Sequence, residues 1–286
     1  MSRAAVLPSR APLAGVPELV AETDAHEGPV YAADEHALYF TSVRRDTVAI
    51  KRLGLARADV SVVRAETRNA NGMTLGPDGR LVVCEQGTLL DPARIALLDR
   101  TTGSLETLVE GFNSPNDVVV RSDASVWFTD PSYGHLQGFR PVPETSDLVY
   151  RFDPRSAELV AVARGFDKPN GLAFSPDERV LYVADNGDPH SLFVFDVEGG
   201  RSLRNRRRLA VSTPEHPDGL KTDGAGRIYA SFADGIQILA PGGDLLEEIE
   251  LPGAVNFAFG RGRESDVLYV TRDDSVWAVP LNPKGA

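Results

Sequence analysis

Six times along the chain the same short grammar returns: a polar residue, an apolar run that often contains glycine, a turn, and a second apolar run. The copies begin at Glu27 (EGPVYAADEHALYFTSV), Asn71 (NGMTLGPDGRLVVCEQG), Asn116 (NDVVVRSDASVWFTDPSYG), Asn170 (NGLAFSPDERVLYVADNG), Asp218 (DGLKTDGAGRIYASFADG) and Asn256 (NFAFGRGRESDVLYVTRDD). Successive starts lie 44, 45, 54, 48 and 38 residues apart, about 46 on average. That period is the length of a four-stranded propeller blade.

Each interval divides into four short runs that are β-branched or aromatic and bounded by Gly, Pro, Asp and Asn. The second repeat supplies NGMTL, RLVVCEQ, RIALLDR and SLETLVE; the third supplies NDVVV, SVWFTD, LVYRFD and AELVAVA; the fourth supplies NGLAF, RVLYVAD, SLFVFDV and RRRLAVS. No stretch keeps a helical period. After Asn256 only three runs fit, VNFAF, VLYVT and SVWAVPL, whereas one spare run, PELVAET, precedes Glu27. The spare run completes the last blade and closes the ring, which removes the edges an open array would expose. The expected fold is all-β, a six-bladed β-propeller. Residues 1–16 are expected to form a flexible N-terminal tail and 17–286 a single propeller domain.

Composition narrows what such a ring can bind. The formal charge is −11, which disfavours a polyanion and leads us to expect no nucleic-acid partner. No apolar run reaches the ~18 residues of a membrane-spanning helix, so no membrane association is expected. The N-terminus lacks a continuous hydrophobic leader core, and a cytoplasmic location is the expectation. Cys84, the single cysteine, can form neither an intramolecular disulfide nor a cysteine-based zinc site. It reads as a small core side chain.

The first strand of a propeller blade lines the central channel, so the residues that open the repeats converge near one mouth. Glu27, Asn71, Asn116, Asn170, Asp218 and Asn256 would form a ring of two carboxylates and four amides without Lys or Arg. Oxygen donors of this kind suit one hard divalent cation, Ca2+ first, with Mg2+, Mn2+, Zn2+ and Fe2+ as the other candidates. Two further readings stand at this point. The Asn-Gly and Asp-Gly pairs are also hairpin-turn signals, and buried amides can simply cross-link blades. The turns themselves are better placed a few residues later, at 76–79 (GPDG) and 175–178 (SPDE).

HEGPVY, NSPNDVVV followed by WFTDPSYG, KPNGLAFSPDERVLYVAD and HPDGLKTDGAGRIYAS together resemble the SMP-30/gluconolactonase/luciferin-regenerating family, with NSPND…FTDPSYG closest to its bacterial gluconolactonase branch. The resemblance runs over roughly residues 25 to 280. It implies a six-bladed propeller with one divalent metal in the channel. It also implies Glu27, Asn170 and Asp218 as metal ligands, Asp218 as general base, and Asn116 as a substrate-holding residue beside the metal. The chain departs from the family pattern at Glu85-Gln86, where Glu-His is usual, and at Ser114, where some members carry Arg.

The implied reaction is hydrolysis of a sugar lactone, an activated ester. Asp218 would take a proton from water or would only position it. Asn116 and Asn71 would hydrogen-bond the substrate. Asp130 and Tyr133, in the loop after the WFTD strand, join the expected substrate site. His26 and His216, which precede the expected ligands by one and two residues, read as ordinary core or surface histidines. The cluster Arg201, Arg204, Arg206, Arg207 and Arg208 falls on an outermost strand and reads as a charged sheet edge. No nucleophile elbow, Walker loop or dinucleotide fingerprint is present. Other lactones, esters or phosphotriesters, and a propeller that only binds, are the competing functions. The expected partner is a small-molecule lactone, and the expected assembly is a monomer or weak homo-oligomer.

Overall fold

The computed structural model describes residues 14–43, 47–188, 190–209, 216–262 and 266–281. They form six four-stranded antiparallel sheets arranged as blades in a ring. Blade one consists of Val30–Ala32, Ala37–Thr41, Ile50–Gly54 and Asp59–Arg64. Blade two consists of Ala70–Leu75, Leu81–Glu85, Ala93–Leu98 and Leu105–Phe112. Blade three is built from Val118–Val120, Val126–Asp130, Leu148–Asp153 and Glu158–Arg164. Pro169–Phe174, Val180–Asp185, Ser191–Glu198 and Ser202–Leu209 make blade four. Leu220–Thr222, Ile228–Phe232, Gly235–Leu239 and Leu245–Glu250 make blade five. Asn256–Arg261, Asp266–Arg272 and Ser275–Pro280 begin blade six.

The spare N-terminal run behaves as expected: Glu18–Glu22 pairs with Ser275–Pro280 as the outermost strand of blade six. Ala14 and Gly15, expected in the tail, already pair with Leu281 and Pro280. The rest of that tail, residues 1–13, lies outside the described residues, as does the end of RRRLAVS at residues 210–212.

Each interface between neighbouring blades holds its own apolar cluster, so the core is a ring of six wedges rather than one centre. The second strands show why their sequences are continuously apolar. Leu81 and Val83 face blade one, while Val82 and Cys84 face blade three. Alternate side chains of one strand are buried on opposite faces. Cys84 is fully buried, and burial pushes its thiol pKa up. It packs, as its sequence context suggests. The basic cluster likewise belongs to the outer strand Ser202–Leu209. Arg204 pairs with Glu198 at 2.5 Å and Arg207 with Asp196 at 2.7 Å, while the Arg206 guanidinium stacks over Phe166 and Phe193.

Candidate active site

The inner strands approach each other so closely that a side chain is excluded at Gly28, Gly72, Gly171 and Gly219. A Cβ at Gly72 would collide with the Asn116 backbone, and one at Gly171 with the Asp218 backbone. Instead, the Gly72 N–H donates to the Asn116 carbonyl at 2.8 Å and the Gly171 N–H to the Asp218 carbonyl at 3.1 Å. The Asn-Gly pairs are therefore not hairpin turns. They sit in register breaks of the inner strands, between Ala70 and Met73 and between Pro169 and Leu172. A β-bulge at such a place re-aims a side chain, and here the re-aimed side chains are Asn71 and Asn170. The turn assigned to GPDG is real: Gly79 has φ +82° and its N–H donates to the Gly76 carbonyl at 3.0 Å.

Backbone pairing sorts the ring into two levels. His26 and Glu27 bracket Thr41 by the same two hydrogen bonds with which Asn116 and Asp117 bracket Thr129, and Asp218 and Gly219 bracket Ser231. The equivalent slot therefore holds His26, Asn71, Asn116, Asn170 and Asp218, with Val255 in blade six. Glu27 and Asn256 stand one residue further down their strands, level with Gly72, Asp117, Gly171 and Gly219. The single ring read from the sequence is thus offset by one residue in blades one and six.

A cavity of about 250 Å3 opens at this end of the channel. Its walls include Glu27, Asn71, Asn116, Asn170, Asp218 and Tyr133, six of the seven residues expected from the sequence. Asn256 stands behind Glu27, to which its Nδ2 donates at 2.8 Å on Oε2. The Gly28 N–H donates to the same oxygen at 2.9 Å, leaving Oε1 for the cavity. Asn170 turns its amide nitrogen toward the Asp218 carboxylate and the Tyr133 hydroxyl, the latter at 3.4 Å. Asn71 donates to the Asn116 carbonyl at 3.0 Å.

Among the described residues, two buried oxygens at the cavity have no protein partner: Asn116 Oδ1 and Asn170 Oδ1. Buried acceptors without donors are rare and ask for a ligand. Burial raises the Glu27 pKa, and Asp117 adds to the effect against the pull of His26. Asp218 is pushed well above the usual carboxylate range, by burial first and by Glu27 second. Two mutually repelling carboxylates beside two orphaned amide oxygens form a donor set that fits a hard divalent cation. Among the described residues no three His, Cys, Asp or Glu side chains gather as a metal cluster; the set here is completed by amides instead.

Asp130 lies outside the cavity. Its Oδ2 and Oδ1 receive the backbone N–H groups of Asn113 at 3.0 Å and Ser114 at 2.9 Å, so it fastens the loop that carries Asn116. Burial still lifts its pKa to about 7. Ser114, at the position where some family members carry Arg, is sealed in as well: its hydroxyl donates to the Pro131 carbonyl and accepts from the Gly134 N–H. Among the described residues no Lys or Arg lines the cavity, and Gln86 does.

Three contributions were not anticipated. Asp117 is buried below the cavity with Oδ2 3.7 Å from Lys221 Nζ, a plug of opposite charges in the channel. Its sequence signal was visible, an Asp where four of the other five repeats carry Gly. Asn186 joins the wall, bonded through Oδ1 to His216 Nδ1 at 2.9 Å, and His190 packs on that ring with centroids 4.0 Å apart. His26 is a wall residue too. A larger cleft of about 530 Å3 lies on blade five among Phe232, Gln237, Glu248 and Ile249, away from the convergent inner-strand residues.

Residues 25–273 match the SMP-30/Gluconolactonase/LRE-like region across all six blades. The chain belongs to that family. A gluconolactonase of Zymomonas mobilis is 31% identical over 281 residues, covering 87% of this chain and 76% of the relative. A solved gluconolactonase from Xanthomonas campestris superposes with a TM-score of 0.82 at 31% identity, covering 93% of this chain and 89% of that one. A calcium-binding regucalcin from Agrobacterium tumefaciens shares the fold at a TM-score of 0.74 and 16% identity, covering 93% of each chain.

Proposed function

We propose that this family member hydrolyses a small sugar lactone at the channel mouth, with one divalent cation, Ca2+ first, held by Glu27, Asn170 and Asp218. The gluconolactonase relatives support lactone hydrolysis in general. The observation that carries the finer reading is the meeting of two raised carboxylates with the two unpartnered oxygens, Asn116 Oδ1 and Asn170 Oδ1. The cation, when bound, supplies carbonyl polarisation and stabilisation of the oxyanion.

The protein's own groups account for the remaining needs. Asp218 takes a proton from the water that attacks the lactone carbonyl. As the ring C–O bond breaks, the departing ring oxygen takes that proton back and becomes a hydroxyl. The product is an open-chain hydroxy acid, which ionises and releases one proton to the medium. Asn116 and Asn71 offer amide contacts to the substrate without adding charge. The Tyr133 hydroxyl, whose pKa is raised by burial and by Asp218, stays protonated as a donor beside Asn170.

The test is proton release in a pH-stat with five- and six-membered sugar lactones, an aryl ester and a phosphotriester. Turnover of sugar lactones well above the other two classes is expected. Preference for the ester or phosphotriester would overturn the substrate class, and turnover of none would leave a binding propeller.

A further inference from the structure

His26 occupies the blade-one slot that is filled by Asn71, Asn116, Asn170 and Asp218 in their blades, and like them it lines the cavity. The chemistry above makes no use of it. Its Nδ1 lies 2.7 Å from Asp273 Oδ1, on the turn between the second and third strands of blade six. A carboxylate can only accept, so this contact assigns the Nδ1 proton and leaves Nε2 as the ring nitrogen available to the cavity. The bond with His26 also holds the Asp273 pKa below the ordinary carboxylate value, which keeps the acceptor ionised. A histidine whose plane and tautomer are set from the next blade is a fixed hydrogen-bonding group, unlike a rim side chain free to turn.

We propose that His26, oriented by Asp273, is a substrate-binding residue whose Nε2 hydrogen-bonds a ring hydroxyl of a polyhydroxylated lactone. The identity of the ligand rests on the lactonase reading. A hydroxyl can donate to a bare Nε2 or accept from Nε2–H, so the contact does not depend on the charge of the imidazole. The remaining polar wall is mainly amides (Asn69, Asn71, Gln86, Gln137, Asn186), which also pair with hydroxyls in either direction. The result is a cavity that grips a ring by its hydroxyl groups. Asp273 acts through His26 and is a positioning residue.

Binding is measured by calorimetry with glucono-1,5-lactam, a non-hydrolysable analogue, and with 2-piperidone, the same ring without hydroxyls, both with Ca2+ present. His26→Leu is expected to weaken lactam binding about tenfold, the scale of one hydrogen bond. His26→Gln, whose amide reaches the place of Nε2, is expected to restore affinity to within about threefold of the parent. Asp273→Asn, an exposed change that leaves the ring in place but loosens it, is expected to weaken binding by about threefold. Unsubstituted 2-piperidone binding is expected to be equal in all four proteins. Equal lactam affinity in the parent and the leucine variant, or no lactam binding by the parent, would overturn the proposal. If the parent turns over no lactone yet binds the lactam in a His26-dependent way, the lactonase reading falls and this one stands.

Discussion

Glu85, Asp130 and Asp185 close the second strands of blades two, three and four; Glu27 and Asp218 lead into the first strands of blades one and five. Four of these carboxylates are buried and Asp218 is partly so, yet the two groups are used differently. Asp130 takes a backbone N–H on each oxygen. Asp185 does the same with Asp167 at 3.1 Å and Lys168 at 2.6 Å. Glu85 binds the Arg68 N–H at 2.8 Å and the Arg94 guanidinium. Each of these fastens the loop that enters the inner strand of its own blade. Glu27 keeps one oxygen clear of such bonds, and Asp218 faces it among amide oxygens that lack partners. A carboxylate whose acceptors are filled by the backbone is structure. A repelling pair set beside orphaned oxygens is a site that needs positive charge.

Removing one member from each group should separate the two roles, beginning with the largest effect. Asp218→Ala is expected to lower kcat by about 10^3-fold, within the range of acid–base catalysis, while circular dichroism and thermal unfolding stay near those of the parent. Retained turnover in that variant would remove Asp218 from the mechanism. Glu27→Gln halves the charge facing the cation and is expected to weaken calcium binding in calorimetry by at least about tenfold. An unchanged affinity would place the cation elsewhere. Asp130→Ala should act on the fold instead. Two buried N–H groups lose their acceptor, and urea unfolding is expected to show a loss of about 2 kcal/mol. A loss of turnover as large as that of Asp218→Ala, without a loss of stability, would break the distinction between the two groups.

The smallest effect is one of pH. Glu27 and Asp218 both have raised pKa values, so without a cation they favour the folded state at low pH, and that stability is lost as pH rises through their folded-state values. A cation requires the ionised forms. The rise in melting temperature on adding Ca2+ should therefore be larger at pH 8 than at pH 5. Equal shifts at both values would mean that the cation does not bind these two groups.

The architecture was legible because a propeller repeats its grammar. Second strands buried on both faces make short unbroken apolar runs, and PELVAET had no other partner than blade six. The channel was legible in part. Glu27, Asn71, Asn116, Asn170 and Asp218 reach the cavity because the entry to each first strand runs along the channel, whereas Asn256, at the start of blade six, stands behind Glu27. The level of each residue was not legible, since the bulges at Asn71-Gly72 and Asn170-Gly171 change register without changing the pattern. Asp130 carries the same motif signal as a cavity residue, but which N–H groups its oxygens meet depends on how the 113–114 loop folds back. His26 read as ordinary because its orientation comes from Asp273, 247 residues away.

The central claim, that the two open carboxylates hold a cation the reaction needs, is tested most directly by one pH-stat titration. Sugar-lactone turnover is followed in EDTA-stripped protein before and after Ca2+ is restored. Turnover that disappears in EDTA and returns with Ca2+ is the predicted result. Undiminished turnover of the stripped protein would contradict it.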